Sequence, residues 1–222
     1  MKKLIDLTQI INPAAAGRKF EAKVIGANEV DPDLVRLENQ WYIMHDISMV
    51  NHLATHIETP YHLYKDGLDL ASMPIETFCG PCVLIDLRGC TPGNPVSAED
   101  VRLAAEKAGG IRSGDIVLCN LGFADKYGTP EYSDSPYFTN EAILWLVGTG
   151  MKMMGVDTVG VEIPRSEEHD NHAALFSKNI PLIENVANLN ELPCTRFTLY
   201  AFPIPMHTID SFPLRVVAEV DV

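Results

Sequence analysis

No stretch of this sequence approaches the roughly 20 consecutive apolar residues that a helix needs to cross a bilayer, so no spanning helix is expected. The opening Met1-Lys2-Lys3-Leu4-Ile5-Asp6 reads as a charged strand start, not as the apolar core of a signal peptide, and a cytoplasmic location is the expectation. Positive charge is scarce: 17 Lys and Arg stand against 30 Asp and Glu, a net charge of −13. Neither a phosphate backbone nor anionic headgroups are attracted to such a chain. Nucleic acid and membrane are therefore not expected as partners, and a small neutral or weakly charged substrate fits better. Cysteine is sparse, odd in number at five and irregularly spaced, which agrees with a reducing compartment. HExxH, HxHxDH and paired CxxC elements are missing, as are internal repeats and low-complexity tails.

What is present suits an ordinary core. With 222 residues, 46% hydrophobic and 21% charged, the chain can bury a core as one domain over 1–222. Strand-like runs fall at 4–7, 83–87, 116–118, 158–161, 197–202 and 216–220. Ser97, with Asp100 three residues on, opens a helix that runs to Gly109, and Thr139 opens a second that ends near Gly148. Loops at 12–17, 65–72, 125–136 and 162–170 hold most of the turn residues, and loops on a rigid sheet commonly line active sites. Cys79-Gly80-Pro81-Cys82 spells a thioredoxin-type tetrad. It leads into a β-branched apolar run with no helix to activate a thiolate, so a turn before a buried strand is the expected structure.

The informative segment is 51–62, Asn-His-Leu-Ala-Thr-His-Ile-Glu-Thr-Pro-Tyr-His. It holds His52, His56 and His62 with Glu58, from a total of seven histidines. Imidazole and carboxylate are the usual ligands of zinc and manganese. A helical turn would put His52 and His56 about 6 Å apart on one face. Pro60 disfavours helix at Thr59, and an extended chain beyond His56 would carry His56, Glu58 and His62 on one side. A fully extended 52–56 would separate its ends by about 13 Å, so a turn followed by a strand is favoured. Spacing alone leaves open a histidine-rich surface loop. The second constellation, 167–172, brings His169 and His172 three residues apart, with Glu184 twelve residues further on beside a short strand at 180–183. By spacing alone it reads more readily as solvated acidic surface than as a metal site.

The sequence His52-x-Ala54-Thr55-His56-x-Glu58-x-Pro60-x-His62 resembles the HxGTHxDxPxH signature of the cyclase-like metal-dependent hydrolases. Ile5-Asp6-Leu7-Thr8, 80–87, His172-Ala173-Ala174-Leu175, Ile183-Glu184-Asn185 and 213–218 extend the likeness over most of the chain. Ala54 replaces the motif glycine, and Glu58 its aspartate. The resemblance implies an α/β fold of the swivelling β/β/α type, with a mostly buried central sheet and packed helices. It implies zinc or manganese, one or two ions, held by His52, His56, Glu58, His172 and Glu184, with Glu58 bridging and His62 as general acid/base. The implied activity is arylformamidase- or isatin hydrolase-like opening of an amide, cyclic amide or lactone of a small molecule, in a homodimer or homotetramer. Tyr61 and Phe123 are candidate walls for a planar substrate, while Thr55, His45 and His207 read as structural. Two rivals stand beside this reading: a non-catalytic metal-binding or assembly protein of the same fold, and a thiol redox protein using Cys79 and Cys82.

Overall fold

Side chains that alternate between two apolar layers build the centre of the protein. The computed structural model describes residues 1–12, 18–34 and 37–221; beyond Asn12, the loop expected at 12–17 lies outside the described residues. In chain order the strands are β1 (Lys2–Asp6), β2 (Phe20–Gly26), β3 (Ile43–Met49), β4 (His56–Glu58), β5 (Cys79–Asp86), β6 (Ile116–Asn120), β7 (Met153–Val156), β8 (Leu182–Glu184), β9 (Arg196–Tyr200), β10 (Ser211–Pro213) and β11 (Val217–Asp221). The helices are α1 (Ala27–Val30), α2 (Ala98–Lys107), α3 (Asn140–Gly148) and α4 (Asp170–Phe176). Nine strands form one sheet in the order β1-β11-β9-β5-β6-β7-β8-β4-β10, and β2 pairs with β3 as a separate, largely exposed ribbon. β5 through β8 run parallel, while the outer strands are antiparallel.

Along β5 and β6, Val83, Ile85, Val117 and Cys119 turn to one face, and Cys82, Ile116 and Leu118 to the other. That is the two-residue period of a strand buried on both sides. The first face is covered by α2, α3 and α4 through Val101, Ala104, Ile143, Leu146, Leu175 and Phe176. The opposite face packs on Leu70, Phe78, Leu189 and Leu214 from loops and on Leu7 beyond β1. This is the expected α/β architecture.

Local signals hold where they are strong. Ser97 Oγ accepts from the Asp100 N–H at 3.2 Å, and Asp100 accepts from the Ser97 N–H at 2.9 Å, the reciprocal capping box expected for α2. Thr139 caps α3 by accepting from Ala142 N–H at 3.2 Å. The strand expected at 158–161 is not formed. The strand is β7, ending at Val156, and Asp157 then turns its carboxylate to the N–H groups of Leu121, Phe123 and Ala124. Once a side chain takes over those donors, the chain bends away from the ladder. The cysteine tetrad is likewise inside β5 and not a turn before it, with Pro81 where β5 has a neighbour on one side only. Cys82 is fully buried, and burial pushes its thiol well up, the opposite of an activated thiolate.

β9 is tied to the turn before β6 by Arg196, whose guanidinium donates to both Asp115 oxygens at 2.9 and 2.7 Å and to Gly110 O at 2.9 Å. Asp115 is buried. Replacing Arg196 with Met should therefore cost about 3 kcal/mol in urea unfolding, because it strands a carboxylate without its cation; a change below about 1 kcal/mol would show the pair to be dispensable.

Candidate metal centre

β4 lies between β8 and β10, and its register decides the site. His56 stands opposite Glu184, and Glu58 opposite Leu182 on one side and Ser211 on the other. His56 and Glu58 are two residues apart on one strand and so share a face, as expected. His62 does not continue that strand. Pro60 starts a 3-10 turn over Pro60–His62, which folds His62 back until its ring centroid lies 4.5 Å from that of His52 and 6.2 Å from that of His172. The turn needs Gly67 beside it, because a Cβ there would meet Pro60 C and O at 2.6 Å. His52 sits in a bend before the strand and not on a helix.

Ala54 explains that bend. Its φ is +53°, left-handed backbone that glycine adopts freely and alanine only under strain. In that conformation Ala54 O accepts from His56 Nδ1 at 2.9 Å and from Asn185 Nδ2 at 2.7 Å. With Nδ1 occupied as donor, His56 presents Nε2 to the cluster. Thr55 behaves structurally, donating to Asn185 O at 2.6 Å and accepting from Gln9 N–H at 2.8 Å.

α4 supplies His172. Glu162 accepts from the Asn171 and His172 N–H groups at 2.9 Å each, so it caps the helix start, and also from His172 Nδ1 at 3.0 Å. His172 Nε2 therefore faces Glu58 Oε2 at 3.3 Å and Glu184 Oε1 at 3.7 Å. On the other side of Glu58, His56 Nε2 lies 3.5 Å from Glu58 Oε1 and 3.4 Å from Glu184 Oε2, and His52 Nδ1 donates to Glu58 Oε1 at 2.7 Å. Two triads result, His52–His56–Glu58 and Glu58–His172–Glu184, with Glu58 common to both. His169 stays exposed, with its ring centroid 6.0 Å from that of His172.

The donor set fits a divalent ion. His56 Nε2 and Glu58 Oε2 are buried and have no hydrogen-bond partner among the described residues, a costly condition that a cation relieves. Donors about 2.0–2.2 Å from a tetrahedral ion stand roughly 3.3–3.6 Å apart, and most of the separations above fall near that range. Electrostatics agree. Burial would raise Glu58, but His172, His52 and His56 outweigh it and hold the carboxyl well below its usual range. Glu184 is pushed up by burial and by the charge of Glu58. Burial would lower His52 and His172, yet Asp210 with Glu58 holds His52 at about 9, and Glu162, Glu184 and Glu58 hold His172 at about 12. Protons thus occupy positions suited to a cation.

The sequence reading missed Glu162 and Asp210. Glu162 had a faint signal, its place in a polar loop expected to line a site. Asp210 had none, since it meets His62 across 148 residues. Phe123 is core, with Lys126 Nζ 4.1 Å from its ring centroid, and Tyr61 is half-buried in the turn. Beside His52 and Ala54 lies a cavity of about 300 Å³ whose aromatic lining is Tyr127 and Tyr132.

Residues 5–163 match the cyclase family model, and the chain belongs to the cyclase family. It is 30% identical over 172 residues to a kynurenine formamidase of Erythrobacter litoralis, covering 77% of this chain and 74% of that protein. A kynurenine formamidase of Bordetella avium is 25% identical, covering 78% of each. Among solved structures, isatin hydrolase A from Labrenzia aggregata bound to benzyl benzoate superposes with a TM-score of 0.82 at 25% identity, over 99% of this chain and 94% of that one. A potential metal-dependent hydrolase with cyclase activity gives a TM-score of 0.77 at 22% identity, over the full length of both chains. No helix among the described residues is long and apolar enough to cross a membrane.

Two outcomes follow from this geometry. Ala54→Gly should leave stability within about 1 kcal/mol, relief of strain offsetting the lost methyl and the freer unfolded chain. Ala54→Val should cost about 3 kcal/mol in denaturant unfolding, and a harmless valine would contradict the left-handed backbone. The second concerns protons. His52 and His172 are both raised above neutrality, so zinc loading at pH 7 should release about two protons, one from each. Calorimetry in buffers of different ionisation enthalpy counts them, and no release would show both imidazoles to be neutral before the ion binds, against the raised positions given above.

Proposed function

We propose that the protein is a divalent-metal-dependent hydrolase that opens the carbon–nitrogen bond of a small amide or cyclic amide. The observation that carries this reading is the pair of donor triads sharing Glu58, with His56 Nε2 and Glu58 Oε2 buried and unpartnered. His52, His56 and Glu58 would hold one ion and Glu58, His172 and Glu184 a second, zinc or manganese in each case. Glutamate at position 58 reaches one methylene further than the family's aspartate, and its two oxygens face the two triads separately. When bound, such an ion supplies Lewis acidity that polarises the scissile carbonyl and acidifies water.

The chain's own residues handle the proton. His62 is the most exposed ring of the cluster, and its Nδ1 is engaged by Asp210 at 2.7 Å, which leaves Nε2 for chemistry. Water loses a proton to His62 Nε2 as its oxygen bonds to the carbonyl carbon. The same proton passes to the leaving nitrogen as the C–N bond breaks. Amide nitrogen leaves poorly until protonated, so this transfer contributes about 10²–10⁴-fold. Phe176, with ring centroids 5.5 Å from His172 and 6.4 Å from His62, gives the site an apolar wall. The formamidase relatives and the isatin hydrolase neighbour support formamides and lactams as the substrate range, with lactones accessible to the same chemistry. The family resemblance supports a homodimer or homotetramer, and the five irregularly spaced cysteines support a reducing compartment such as the cytoplasm.

Elemental analysis with kinetics on an amide and lactam panel tests the assignment. His56→Ala should lose both metal and turnover. His62→Ala should keep its metal and lose about 10²-fold or more of kcat. Normal turnover in either variant, or a metal-free wild type after reconstitution with zinc and with manganese, would overturn it.

A further inference from the structure

Asp210 ties the turn that carries His62 to the candidate ligand His52. It precedes β10, whose pairing with β4 sets Ser211 opposite Glu58 and so brings Asp210 level with Thr59. Its backbone carbonyl accepts from both Thr59 N–H and Thr59 Oγ1 at 2.9 Å, which locks it to the strand end from which the His62 turn departs. Its carboxylate is braced from behind. Asn51 Nδ2 donates to Oδ1 at 2.6 Å and also to Ser211 O at 3.1 Å, which fixes the carboxylate plane. The other oxygen, Oδ2, accepts from His62 Nδ1 at 2.7 Å and from His52 Nε2 at 2.8 Å.

We propose that Asp210 is the positioning residue for His62, holding it as the Nδ1–H tautomer with Nε2 directed at the reacting atoms; this rests on the hydrolase reading above. The physical argument is complementarity. A carboxylate is acceptor only, so the ring nitrogen it touches must carry the proton, and in a neutral ring the other nitrogen is then the free base. His62 is an exposed side chain on a three-residue turn, and without a fixed partner its ring samples several rotamers and both tautomers. Anchored on Asp210, it is held over the cluster at the ring distances given above. Placement of this kind separates a proton carrier from a nearby histidine, because proton transfer requires heavy atoms within about 2.6–3.2 Å. His52 uses the same oxygen through Nε2 and keeps Nδ1 turned toward Glu58. Asp210 thereby sets the spacing between ligand and base.

Asp210→Asn tests this with nearly unchanged shape, since both Thr59 bonds go to the retained backbone carbonyl. Nitrogen-15 imidazole spectra of the zinc-loaded protein should show His62 with its proton on Nδ1 in the wild type and lose that preference in the variant. This readout needs no turnover, so it stands apart from any failure of the hydrolase assignment. On an amide that the wild type cleaves, and with zinc in excess, kcat should fall at least about 100-fold, with KM within about 3-fold and zinc per chain unchanged. In a His62→Ala background the same change should cost less than about 3-fold. Asn51→Ala, which keeps the carboxylate and removes its brace, should lose less than Asp210→Asn. Zinc loss in Asp210→Asn, an equal penalty with and without His62, or an unaltered tautomer would overturn the proposal, the first two by assigning Asp210 to the support of His52.

Discussion

Glu58 is a carboxylate buried between three imidazoles, and much else in the protein follows from keeping it there. A buried unpaired charge is expensive, and several positive or donor groups must converge on it before folding tolerates it. They arrive from two directions: His52 and His56 from its own segment, and His172 from α4. Each imidazole is in turn held at its far nitrogen, His52 by Asp210, His56 by Ala54 O and His172 by Glu162. Partners of this kind fix ring orientation and tautomer, and in metal sites they matter nearly as much as the ligands themselves.

The fold supplies these constraints economically. Placing β4 between β8 and β10 puts Glu184 and Asp210 on opposite flanks of the same three-residue strand. The strained backbone at Ala54 directs a carbonyl at His56, and Asn185, also left-handed at φ +58°, donates to that same carbonyl while accepting from Tyr132 OH at 2.6 Å. Strain concentrated in such a segment is tolerated where surrounding bonds over-determine it. Because Ile57 and Ile183 turn to the opposite layer, His56, Glu58 and Glu184 point to the helix-covered face of the sheet, where α4 brings His172 to meet them.

Much of this was readable from local pattern. The His52–His62 motif, the caps at Ser97 and Thr139 and the apolar strands at 83–87 and 116–118 each depend on neighbours within a few residues, where periodicity and capping chemistry operate. Readings failed where a distant group competed for the backbone. Asp157 ended β7 at Val156 by capturing three amides from the loop after β6, so the apolar run at 158–161 bends instead of pairing. Proline and glycine made the cysteine tetrad look like a turn, yet β9 pairs with it throughout.

The sequence by itself determined the family, because the His52–His62 motif and the segments that extend its likeness are written in local runs of residues, and with the family it named the candidate ligands. Only the tertiary structure decided how they meet. The shared role of Glu58, the opposition of His56 and Glu184, and the contact of Asp210 with His62 all arise from strand order and register. Those depend on burial of the whole sheet and not on any local run of residues. A carboxylate 148 residues from its histidine leaves no mark in spacing; sheet pairing alone brings it to 2.7 Å.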